Sequence, residues 1–173
     1  MDRQAVHDEL ESARTEFHRL LDGATEAELR RPSDGTRWTN QELLFHMLFG
    51  YLIVRALLVL VRVFSHLPVR ASRGYARLLD AGTTPFDVVN YYGSRIGARL
   101  LTTARLRGTC DRVIMALHRR LDAETDEDLA GGMHYPTRWD PFFADYLTLA
   151  DIYRYPTQHF RFHREQLTLD ATH

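Results

Sequence analysis

A chain of 173 residues, 45% hydrophobic and with a formal net charge of −1, can bury one self-supporting core. Wholesale disorder is therefore excluded, and no global field favours nucleic acid or an anionic membrane. All 22 basic residues are Arg, which removes Schiff-base lysine chemistry, and the single Cys110 removes an intrachain disulfide. A lone thiol suits a reducing compartment, and the polar residues after Met1 form no apolar leader, so a cytoplasmic protein is expected.

Val6, Leu10, Ala13, Phe17, Leu20 and Leu21 recur at the spacing of one helical face and predict a first helix ending near Gly23. After the loop Arg31-Pro32-Ser33-Asp34-Gly35, Thr39 and Glu42 stand three residues apart as a capping box and predict the start of a second helix. Residues 43–64 are almost continuously apolar, but His46, Arg55 and Arg62 interrupt them. A membrane helix wants about 18 or more uninterrupted apolar residues, so this stretch reads as a buried bundle helix. Residues 65–108, punctuated by Pro68, Gly74, Gly82, Pro85, Gly93 and Gly97, are expected to form a long, partly helical connection.

Val113, Leu117, Arg120 and Leu121 mark a third helix that ends near residues 122–125. Gly131-Gly132 breaks the chain, and Thr137-Arg138-Trp139 then repeats Thr36-Arg37-Trp38 a little ahead of each histidine-bearing helix. Both Trp rings are expected to pack over the ends of the bundle. Asp140-Pro141 reads as a cap with proline at the first helical position, and Thr148 with Asp151 reads as a second start. The last helix is thus expected in two pieces, with a kink at Pro156. The sum is an all-α protein, an up-down-up-down four-helix bundle in one domain over residues 1–173, with strands nearly absent.

The chemistry concentrates in His159-Phe160-Arg161-Phe162-His163. Four helical residues give about 6 Å of rise and about 40° of rotation, so both imidazoles project from one face and can share a divalent ion. A zinc site normally wants at least three protein ligands. His46 is the best third candidate, being lodged in the apolar run, where a buried imidazole needs a partner. Three neutral imidazoles leave a coordination position open for water or a thiolate. Zinc, nickel and iron all suit such ligands, as copper does. Phe160 stands where zinc proteases carry their glutamate, so a general base must come from another element. Glu42, one turn before His46, is a candidate to orient that ring or accept a proton, and Tyr155, one turn before His159, is a candidate to hydrogen-bond a substrate.

Other residues give weaker signals. Gln158 and Gln166 fall off the ideal ligand face, and His7, His18, His66, His118, His134 and His173 read as ordinary histidines. Cys110 reads as a buried thiol, and Arg95, Arg99, Arg105, Arg107 and Arg112 as a solvated basic face. No P-loop, dinucleotide fingerprint or nucleophile elbow is present.

The ordered set of His46, His159 and His163, with a Trp-led start to the second helix at Trp38, a Thr-led start to the last at Thr148 and the trailing Gln166, resembles the DinB/YfiT-like metalloenzymes. The resemblance spans nearly the whole chain. It implies a four-helix bundle that binds a divalent metal through one histidine of the second helix and two of the fourth. It also implies a small-molecule substrate, a low-molecular-weight thiol such as mycothiol or bacillithiol as a co-substrate in thiol-S-transferase relatives, hydrolase activity in others, and a homodimer by analogy. The reading expected is a metal-dependent transferase or hydrolase, without nucleic-acid or membrane partners. The alternative is a stress-response protein that binds a metal or an apolar ligand without turnover.

Overall fold

The computed structural model describes residues 1–170, so His173 and the end of the expected domain lie outside the described residues. Four long helices surround the core: α1 (Arg3–Gly23), α3 (Asn40–Ser65), α6 (Thr103–Ala123) and α8 (Leu149–Arg164). Short α2 (Glu26–Arg30) and α7 (Asp126–Ala130) follow α1 and α6, while α4 (Val69–Ala81) and α5 (Thr83–Leu100) fill the connection between α3 and α6. The helices form where the apolar period and the caps agree. Val6, Leu10, Ala13, Phe17, Leu20 and Leu21 are all buried, as the period of 3.6 requires. Thr39 with Glu42 and Thr148 with Asp151 form reciprocal capping boxes that start α3 and α8.

α3 packs on α8, α5 and α6, and α1 packs on α6 and α8. α3 is long and apolar enough to cross a membrane, yet most of its apolar stretch is buried inside the protein, and Leu43, Leu44, Met47, Leu48, Val54, Leu58 and Val61 are almost wholly enclosed. Phe17 and Tyr51 meet Phe160 edge-on, joining α1, α3 and α8 through aromatic contacts.

Strands are nearly absent, as expected: among the described residues β1 (Gly132–His134) pairs antiparallel with β2 (Tyr146–Thr148). The expected course of the last helix is corrected. No helix starts at Asp140-Pro141. Asp140 instead folds a turn by accepting the Phe142 amide at 2.9 Å, and α8 begins after Thr148 and runs on through Pro156 as one element. The chain between α3 and α6 is more regular than its glycines suggest, since α4 and α5 together occupy most of it. Gly97 is required by packing: a Cβ there would meet the Phe45 ring at 2.1 Å, so its absence lets α5 lie close against α3.

The repeated Thr-Arg-Trp belongs to a longer correspondence. α1 with α2 and α6 with α7 have matching lengths of 21 and 5 residues, and Thr25/Glu28 and Thr125/Asp128 cap α2 and α7 identically. Leu21-Asp22 and Leu121-Asp122 end the two long helices in the same way. The Trp-bearing segments then lead into α3 and α8, the two helices that carry the triad.

Candidate metal centre

His46 comes from the second turn of α3, and His159 and His163 come from successive turns of α8. The tight α3–α8 packing brings the three rings together. Their centroids lie 4.9 Å (His46–His159), 4.8 Å (His46–His163) and 4.5 Å (His159–His163) apart, and one nitrogen from each falls within 4.8 Å of the others. The approach depends on Gly50, because a Cβ at that position would stand 2.9 Å from His159 Nδ1.

Hydrogen bonds decide which nitrogens are free. Ser94 Oγ donates its only proton to the Asn90 carbonyl at 2.9 Å, so it accepts from His46 Nδ1 at 3.3 Å and leaves His46 Nε2 bare. His163 Nδ1 donates to Gln166 Oε1 at 2.6 Å, which leaves its Nε2 bare as well. His46 Nε2 and His159 Nε2 lie 3.1 Å apart, about the spacing of two nitrogens that share a tetrahedral ion with bonds of about 2.0–2.1 Å. His159 Nδ1 is buried without a partner among the described residues, so a proton on Nε2 toward His46 would strand a lone pair there, while a bare Nε2 sets two acceptors face to face. A cation among the rings removes the second conflict. The residues present therefore fit a divalent metal.

Electrostatics agree. Burial, helped by the nearby His163, pushes the His46 pKa down to about 3 against an opposing contact from Asn90. Burial also lowers His159 well below the ordinary imidazole range, and it lowers His163 against Gln166 and Asp140, which favour the charged ring. At neutral pH all three are uncharged and ready to ligate.

The rings line a cleft of about 220 Å³ whose walls are largely aromatic: Trp38, Phe49, Phe86, Trp139, Tyr155 and Phe162. Both Trp rings pack against the core, as expected, and both also line the cleft. Trp38 stacks on His46 at 4.4 Å, and Trp139 stacks on Phe86 at 4.2 Å while its Nε1 donates to the Leu79 carbonyl at 3.2 Å. Beyond Trp38 and His163 lies a wider groove of about 650 Å³ bounded by Arg37, Asp87, Tyr91 and Gln166.

Tyr155 lies in the cleft, and its hydroxyl donates to Asp140 Oδ2 at 2.9 Å. That carboxylate oxygen stands 3.8 Å from His159 Nε2. Burial raises the Asp140 pKa, against the Phe142 amide, the Tyr155 hydroxyl and His163, and burial together with Asp140 raises Tyr155. Glu42 is not brought to the rings: its carboxylate accepts from the Thr39 amide at 3.1 Å and from Arg95 Nε at 3.3 Å, outside the cleft wall.

Asp140, Ser94 and Gln166 stand beside the rings, and the sequence reading gave none of them a place at the site, although Gln166 entered the family resemblance. Asp140 read as a helix cap. Ser94 gave no signal, because only the α5–α3 contact brings it to His46. Gln166 did carry one, lying three residues after His163, but the ideal ligand face excluded it although the chain turns there after α8.

No curated protein sequence and no solved structure matches this chain. The family model of the DinB superfamily matches residues 9–167, which is most of the chain, and the chain, with its three-histidine group on α3 and α8, belongs to that superfamily.

Proposed function

We propose that the protein is a metal-dependent enzyme in which His46, His159 and His163 hold one divalent ion (Zn, Ni or Fe) beside a cleft that admits a small substrate. The observation that carries this reading is the convergence of three neutral imidazoles, two buried and His163 half-buried, next to a carboxylate that none of them needs for its own hydrogen bonding. When bound, such an ion supplies Lewis acidity and lowers the proton affinity of a small oxygen or sulfur nucleophile, water or a low-molecular-weight thiol such as mycothiol. The chain supplies the rest. Asp140, raised by burial and held by Tyr155, is placed to take a proton at Oδ2 from the nucleophile and return it to the leaving group. Trp38, Trp139 and Phe162 exclude bulk water from the cleft, and the outer groove accommodates the remainder of the substrate or thiol.

Elemental analysis of the chain purified without added metal, followed by thiol-dependent and hydrolytic assays of wild type, His159→Ala and Asp140→Asn, tests this. His159→Ala should lose the metal. Asp140→Asn should keep it and lose turnover about 100-fold or more. Failure of the wild type to retain or take up stoichiometric metal overturns the reading, and a metal-loaded Asp140→Asn with full turnover removes Asp140 from the mechanism.

A further inference from the structure

A second cavity, of about 350 Å³, lies between α4 and residues 134–138 and shares no lining residue with the histidine cleft. Arg73 and Arg77, one turn apart on α4, and Arg138 on the facing segment line it, and none of them pairs with a carboxylate among the described residues. Arg73 is held in place. Its Nε–H donates to His134 Nε2 at 3.3 Å; arginine has only donors, so the imidazole proton sits on Nδ1 and is shared between Asp145 Oδ2 at 3.0 Å and the Asp145 carbonyl at 3.1 Å. His134 is only 7% exposed, making it a buried strut that fixes the guanidinium while leaving the Nη donors free.

Tyr135, also in the wall, is buried, and its hydroxyl has no hydrogen-bond partner among the described residues. That hydroxyl is closed to solvent, so the donors the cavity itself offers are those of the arginines. The acids of the wall are Asp80 and Asp145, and Asp145 already faces His134, so three guanidiniums against two carboxylates leave the cavity net positive. The donors reach it from two elements, a convergence that suits a tetrahedral oxyanion with acceptors in several directions. The volume leaves room for more than the anion alone.

We propose that this cavity binds a phosphate group, free or esterified to a small molecule. Calorimetric titration of the full chain, freed of metal by chelation, with inorganic phosphate, phenyl phosphate and succinate at constant ionic strength is the test. One saturable phosphate site per chain is expected, weakened about tenfold or more by Arg77→Gln and by Arg138→Gln, and unchanged by His159→Ala. Tighter binding of the ester identifies an esterified ligand and tighter binding of inorganic phosphate a free one; either supports the site. The proposal is overturned if no saturable binding is seen, if both arginine variants bind normally, if His159→Ala abolishes binding, or if succinate binds as well as phosphate.

Discussion

At the scale of single residues, the centre depends on neighbours that set tautomers and on one missing side chain. Gln166 fixes the proton of His163 on Nδ1, so Gln166→Leu should lower metal affinity about 10–100-fold while the fold is kept, as competition with a chromophoric chelator would read. His159 lacks such an anchor on Nδ1, and that edge of its ring is limited by packing against Gly50. Gly50→Ala should therefore displace that ring and weaken metal binding, even though alanine favours the helix by about 1 kcal/mol. An unchanged affinity in Gly50→Ala would show that the ring relaxes freely. Cys110 is buried and its thiol is pushed up to about 12, chiefly by burial, which disfavours the nucleophilic thiolate.

At the scale of elements, charged groups stitch helix pairs in ways their spacing does not announce. Glu16 on α1 accepts from Arg19 Nε at 2.7 Å and from Arg164 Nε on α8 at 2.8 Å, and these hydrogen bonds, led by Arg19, lower its pKa from 4.5 to about 2. The folded state thus binds fewer protons than the unfolded state between those values. The pair's contribution is complete above about 4.5 and is lost as the pH falls toward about 2. Glu16→Gln should flatten that part of the stability–pH profile measured by urea unfolding. Deeper in the molecule, Glu124 at the end of α6 is 4% exposed, pairs with Arg62 of α3 and accepts from the Tyr153 hydroxyl of α8 at 3.1 Å. Arg62→Ala strands part of that buried charge and should cost about 2 kcal/mol by denaturant midpoint. His7 and His118, expected to be ordinary, stack at 4.8 Å across the α1–α6 seam, with Asp122 and Glu11 on their outer nitrogens.

For the whole molecule, the matching α1–α2 and α6–α7 units frame two helices that meet at the histidines. A divalent ion held there would join α3 to α8, elements more than 80 residues apart in sequence. Ligand that binds only the folded state at 1,000 times its dissociation constant adds about 4 kcal/mol. Chelation should accordingly lower the melting temperature of the metal-loaded protein by about 10 °C, and differential scanning calorimetry before and after chelation measures it. A melting temperature unmoved by chelation would mean that the rings hold no ion in the folded state.

Periodicity and capping boxes marked the positions of the four bundle helices in the sequence, though not that α8 is one element starting after Thr148, because burial of one apolar face and satisfaction of the first helical amides are local requirements that neighbouring residues meet by themselves. His159 and His163 were legible for the same reason, since a spacing of four residues on one helix puts two rings on one side. Tertiary packing decided the rest. Asp140 and Trp139 reach the cleft from a turn and from an irregular segment, Ser94 reaches the back of His46 from α5, and Arg73 meets His134 across 61 residues. Such contacts arise only when distant surfaces dock, and no local pattern encodes which face of α5 will lie against α3 or how close a glycine will let it come.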